Sequence, residues 1–183
     1  ILNTVTASAA GMVSWLAVER VHTGHPTLVG ASTGLVAGLV VVTPGAGFVP
    51  VWAAIVIGAV VSPICYFTMN FLKNKLKIDD ALDAFGCHGI GGIWGGIATG
   101  LFARTDINPV ARWNGLVFGE AGLFTAQVVS ILITIAVAVV GTLVCVGITR
   151  IFTKLRVEHK EELLGLDMTQ HGERAYPSFN GLD

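Results

Sequence analysis

Residues 121–149 read AGLFTAQVVSILITIAVAVVGTLVCVGIT, a stretch without one Asp, Glu, Lys, Arg or His. At 1.5 Å per residue, about 29 helical residues reach roughly 43 Å, more than the ~30 Å hydrocarbon core of a bilayer. Such a run predicts a membrane span that tilts or projects beyond the core. The rest of the chain follows the same pattern. Charged side chains occur at Glu19–Arg20, between Lys73 and Asp83, between Arg104 and Glu120, and from Arg150 onward. The intervening runs, 1–18, 21–72, 84–103 and 121–149, carry none. The run 21–72 is long enough for two spans, and Thr43-Pro44-Gly45-Ala46-Gly47 supplies the break. The expectation is an all-α, polytopic membrane bundle with five helices near 1–18, 27–43, 51–72, 82–103 and 124–150, followed by a polar tail over 154–183.

Composition excludes the main alternatives. Hydrophobic residues make up 53% and charged residues 13% of the 183, and mean hydropathy is +0.73. A soluble domain carries about 25% charged residues, so a soluble enzyme, a disordered chain and a coiled coil are all disfavoured. A net charge of −1 offers no footprint for nucleic acid. Cys65, Cys87 and Cys145 form no CxxC pair, and no metal or cofactor site is expected. The chain opens at Ile1 without an initiator Met or a charged leader, as expected of a piece of something longer.

Lys and Arg set the expected orientation. With the C-terminus cytoplasmic, the inner segments hold Arg20, Lys73, Lys75, Lys77, Arg150, Lys154, Arg156, Lys160 and Arg174, and the outer ones only Arg104 and Arg112. The N-terminal end of this piece is then extracytoplasmic, in a multi-pass protein of the cell membrane.

The segment with chemistry in it is 79–100, DDALDAFGCHGIGGIWGGIATG. His88 is an ionisable side chain well inside a predicted span. Such a group is costly in lipid and should face a cavity or a partner, although a neutral imidazole satisfied by a backbone carbonyl would serve packing alone. Gly89, Gly92, Gly96 and Gly100 line one face at packing spacing, and Gly91 and Gly95 near His88 leave room for a narrow passage. Asp79 and Asp80 suit capping at the helix N-terminus, and Asp83 could anchor that helix to a neighbour. Cys87 points about 100° from His88, so the two chelate nothing. His22 and His25 fall in a short loop and are expected to be solvated. For Asn3, interhelical hydrogen bonding is favoured over substrate contact.

At these residues the chain resembles the ammonium transporter family (Amt/Mep/Rh), in its Amt branch. Asp80–Gly100 is similar to the family's penultimate helix, GLVAGLVVVTPGAGFV (34–49) to its glycine-rich helix ending in a Thr-Pro turn, Asn3-Thr4 to its Asn-Thr helix, and GLDMTQHGERAY (165–176) to its tail signature. The resemblance covers the last five of eleven helices. It implies a homotrimer with one pore per protomer, built from two inverted repeats, and a long final helix crossing the outside. It places His88 as one of two pore histidines, the second lying in an N-terminal half outside this chain. Phe85 and Ala84 match positions lining or flanking the pore. Thr33 and Thr43 match polar positions near its outer region, and Asp83 and Asn3 serve as supports. Gly165, Asp167, Thr169, His171, Gly172 and Tyr176 belong to a regulatory tail that packs under a neighbouring protomer and contributes to the surface reached by a PII-type regulator. Thr169 matches a position phosphorylated in plant members. The implied partners are ammonium or ammonia and the lipid bilayer. An ammonium sensor signalling through the tail is the alternative function, and no nucleophile–base pair supports a membrane enzyme.

Overall fold

A computed structural model of the chain describes residues 1–174. Its regular structure is helical: α1 (Leu2–His22), α2 (Leu28–Val42), α3 (Val51–Asn74), a π-helical turn (Phe85–Ile90), α4 (Gly91–Phe102), a 3₁₀ turn (Leu116–Phe118), α5 (Gly122–Phe152), α6 (His159–Leu164) and α7 (Leu166–Gln170). Tyr176 lies outside the described residues. The chain divides into two compact units, Ile1–Thr134 and the segment from Ile135 onward.

The first unit is a bundle in which α1 packs on both α2 and α3. Small residues make this possible. A Cβ on Gly38 or Gly58 would collide with the carbonyl group of Ala7, so both helices approach the α1 backbone directly. Ala7, Ala37, Val41, Ile57, Val61 and Cys65 fill the core between them. Serine hydroxyls join the helices: Ser8 Oγ donates to the Leu35 carbonyl (3.1 Å), and Ser62 Oγ to that of Gly11 (2.7 Å).

Pro63 sits inside α3. Having no N–H, it leaves the carbonyl of Ala59, four residues earlier, without its helical donor. Ser14 Oγ of α1 supplies the missing bond at 2.7 Å. In a membrane every backbone acceptor must find a partner within the protein, so Ser14→Ala is expected to cost about 1 kcal/mol. Pro63→Ala, which restores the N–H, should suppress that loss. Thermal melts of the two single variants and the double variant test the coupling; additive effects would contradict it.

Two long helices, α3 with 24 residues and α5 with 31, are apolar enough to cross a bilayer. No residue of α5 is buried, and Leu132, Ile133, Val137, Val140 and Leu143 are each at least half exposed. A helix apolar on all sides belongs in lipid or against other membrane helices.

The expected helix near 82–103 runs without a gap from 84 to 102, but it opens with a wide turn. Its first part is the π-helical turn, followed by α4. The cause is local. Asp83 adopts φ 56°, which ends the preceding loop, and Asp80 then caps the turn, accepting from Ala84 N and Phe85 N at 2.9 Å each. The Cys65 thiol of α3 donates to the Gly86 carbonyl of this turn at 3.2 Å, tying it to the core.

Between α4 and α5 the loop is held by its own polar side chains. Arg104 makes a two-point contact with Asp106 (2.8 and 2.7 Å) and lies over the Phe118 ring. Asn114 Oδ1 accepts from Thr105, and Glu120 accepts from Asn114 N and Nδ2.

In the second unit, Gly165 joins α6 to α7 at φ 96°, a left-handed value that favours glycine. Thr169 N and Oγ1 both donate to the Gly165 carbonyl (3.1 and 3.0 Å), closing α7. Gly172 also has positive φ, and Glu173 N returns to the Asp167 carbonyl. His171 is exposed beside them.

Candidate functional site

The π-turn splits its side chains between two environments. Cys87 is buried, 4% exposed, against the first-unit core. Its neighbours Ala84, Phe85 and His88 are exposed. The Phe85 ring lies over Gly89, where a Cβ would come within 2.9 Å of two ring carbons. The His88 ring meets no hydrogen-bond partner among the described residues.

The glycines around His88 behave differently from the expectation of a passage. Gly91 faces Val40, Val61 and Cys65, and a Cβ on Gly95 would meet the Val41 carbonyl (2.5 Å) and Pro44 (3.2 Å). Both positions are filled by α2 and α3, because α4 crosses those helices on that side. Gly96 and Gly100 instead receive α5, against Ile131 and Phe124.

Of the two threonines, Thr33 lies within α2 and Thr43 caps its C-terminus. Ten residues at 1.5 Å separate Thr33 from Thr43 by about 15 Å along the helix. Thr33 borders a cavity of about 170 Å³ with Trp15, Glu19, Asn70, Lys73 and Asp83. Thr43 is exposed at the C-terminus of α2. Each hydroxyl donates to its own helix, Thr33 to the Val29 carbonyl and Thr43 to that of Leu39 (2.9 and 2.7 Å). Their oxygens keep acceptor capacity.

Asn3 and Asp83 are structural ties. Asn3 Nδ2 donates to the carbonyls of Ala46 and Val49 (2.9 and 2.7 Å), fixing the turn between α2 and α3. Asp83 pairs with Lys73 at 2.6 Å, joining the start of the π-turn to the last turn of α3. His22 is exposed, as expected of a solvated residue, but it belongs to a helix rather than the loop. It ends α1, and its Nδ1 lies 2.9 Å from the Tyr66 hydroxyl.

Sequence reading missed two features. The π-turn has no signature beyond the glycines on either side of His88. Glu19 was legible only as a charge at a membrane edge, yet it is 8% exposed and binds Thr27 and Trp15. Among the described residues, no group of three or more His, Cys, Asp or Glu side chains is gathered as a metal site.

Fold and hydropathy define a helical, polytopic membrane protein. The model of the Ammonium Transporter Family matches residues 1–176, and the chain belongs to that family, whose members are transport proteins rather than enzymes. It is 49% identical over 175 residues to an ammonium transporter of Bacillus subtilis (strain 168), covering 96% of this chain and 43% of that protein. Among solved structures, the N240A mutant of Candida albicans Mep2 aligns with TM-score 0.79 at 34% identity, over 92% of this chain and 38% of that one. A structure described as a sensor Amt protein aligns with TM-score 0.79 at 26% identity, over 93% and 41%. The chain therefore spans less than half the length of the relatives it matches.

Proposed function

We propose that this chain is the part of an ammonium transporter that supplies His88 to a hydrophobic pore. The observation that carries the reading is an imidazole, exposed and without a partner among the described residues, on the wide turn of an apolar helix beside Phe85. Ammonium and potassium are alike in charge and size, so a pore acting on charge alone separates them poorly. A dry pore makes either ion costly, but ammonium can shed a proton and cross as neutral ammonia. Imidazole offers a donor and an acceptor nitrogen and titrates near neutral pH, so it can hold ammonia and relay the proton. Potassium has no proton to lose. Phe85 and Ala84 form the apolar wall beside the ring, and the Thr33 and Thr43 oxygens offer acceptors along α2 and at its C-terminus.

The same reading sets five membrane-crossing segments over 1–153 and a cytoplasmic tail over 154–183. The Asn3 end of α1 faces outward and the His22 end inward, supported by the Lys and Arg distribution. The assembly is a homotrimer in the cell membrane serving nitrogen uptake, and α5, apolar and without a buried residue, fits a helix facing lipid on much of its surface. A PII-type regulator meets the tail. Thr169 gives the tail a switch. Its hydroxyl donates to the Gly165 carbonyl, and a phosphate of about −1.5 to −2 charge would remove that donor beside Asp167 and Glu173. Thr169→Asp in the whole protein is expected to lower uptake roughly fivefold or more; unaltered uptake would remove the switch.

The likeness to a sensor Amt protein favours one second reading, in which the fold signals ammonium through its tail with little flux. Expression of the whole protein in a host lacking its own ammonium transporters separates the two. Transport predicts growth on low ammonium and uptake of labelled methylammonium. Ammonium-dependent signalling without either would establish the sensor.

A further inference from the structure

The π-turn that carries His88 rests on one ridge of α3. Val61, Cys65, Met69 and Lys73 follow one another at four-residue spacing, the row that forms a ridge along a helix surface. Each of them meets the segment 83–91. Val61 stands 3.7 Å from where a Cβ on Gly91 would lie. The Cys65 thiol donates to the Gly86 carbonyl at 3.2 Å. Met69 covers Gly86 so closely that a Cβ there would collide with its Cγ and Sδ. Lys73 pairs with Asp83 at 2.6 Å. Val61, Cys65 and Met69 are all buried.

The ridge matters because of how the turn is wound. A π-turn takes up more residues than an α-turn. Downstream of it, α4 is not free to rotate. A Cβ on Gly95 would meet the Val41 carbonyl, and Gly96 and Gly100 lie against Ile131 and Phe124. One residue of an α-helix is about 100° of rotation. With α4 fixed, rewinding residues 85–90 as regular α-helix would swing the side chains before it by up to about that angle. Cys87 and His88 are neighbours in sequence, one buried and the other exposed. The winding of the turn decides which of them faces the core.

We propose that Cys65, with Met69 beside it, is a positioning residue for His88: its thiol on the Gly86 carbonyl holds the turn in the winding that presents the imidazole to the transport path. This rests on the proposed transport function. Cys65 is fully buried and the His88 ring is exposed, so the influence runs through the backbone of Gly86, two residues before the histidine. A serine hydroxyl at the same place could still donate to that carbonyl, whereas a methyl group could not.

The test uses the whole protein in liposomes, with the ammonium-driven transient current and the melting temperature read on each variant. Cys65→Ala should lower the current about threefold, the scale of one neutral hydrogen bond, and Cys65→Ser should recover most of it. In a His88→Ala background, Cys65→Ala should change nothing further, because the ring it positions is gone. Val61→Ala, on the same ridge but against Gly91 of α4, should lower the melting temperature and keep the current. Full current in Cys65→Ala, no recovery in Cys65→Ser, an undiminished effect in the His88→Ala background, or an equal loss of current in Val61→Ala would each show that Cys65 only packs the core, and would overturn the proposal. Should Cys65→Ala fail to assemble, Met69→Ala decides: its current must fall, and an unchanged value overturns the positioning role. Absence of any wild-type current, or full current in His88→Ala alone, would instead sink the pore reading on which this one depends.

Discussion

His88→Ala, introduced into the whole protein, is expected to cut ammonium-driven current by about tenfold to a hundredfold, or to let potassium compete for the path. The magnitude follows from removing one hydrogen-bonding group that can carry charge, worth roughly 1.5–3 kcal/mol at the point where ammonia is held. The variant should fold normally, because the ring is exposed in this chain and its neighbour Cys87, not His88, fills the core. An unchanged melting temperature with lost or unselective current is therefore the expected pair of results. Replacement by Glu separates the two uses of the ring: a carboxylate can still pass a proton but would favour a cation in the pore, so potassium should gain more than in the Ala variant. Solid-supported membrane recordings with ammonium and potassium jumps check both. A His88→Ala protein with undiminished, ammonium-selective current would remove the relay role.

The second large effect concerns assembly of the scaffold. Gly38→Leu should lower the melting temperature of the purified protein by about 5 °C or more, or abolish its recovery. A Cβ at Gly38 already meets the Ala7 carbonyl and comes within 2.7 Å of Ser8 Cα. These are backbone atoms and cannot rotate away, so overpacking costs of about 1–3 kcal/mol or more apply. Parting α1 from α2 would also break the Ser8 bond to the Leu35 carbonyl. Gly141→Leu provides the contrast, since nothing lies within 4 Å of that position, and its melting temperature should stay near that of the parent. Equal behaviour of the two variants would show that close helix approach at Gly38 is not what holds the bundle.

Much of the fold was legible because lipid imposes a simple rule. An uncharged stretch such as 121–149 must become a helix, and the helical content followed from that pattern, while the family was legible in the motifs of 34–49, 80–100 and 165–176. The Thr43–Gly47 break was equally plain from its proline and glycines. What could not be read depended on partners distant in sequence. Pro63 looks like a defect until Ser14, 49 positions earlier, supplies the missing donor to Ala59. Gly91 and Gly95 share spacing with glycines that admit a neighbour, and only the crossing of α2 and α3 shows that their side is filled. Within the site, His88 stood out because ionisable groups are rare in spans. Glu19 did not, because a charge next to Arg20 resembles any membrane-edge residue until its burial against Thr27 and Trp15 is known.

The central claim is that His88 and its surroundings belong to a path that passes ammonium and rejects potassium. The most direct measurement is the transient current of the whole protein, reconstituted in liposomes, on equal concentration jumps of ammonium chloride and potassium chloride. The account predicts a saturable current with ammonium and none above the empty-liposome background with potassium. A potassium current of similar size, or no ammonium current from correctly assembled protein, would contradict it.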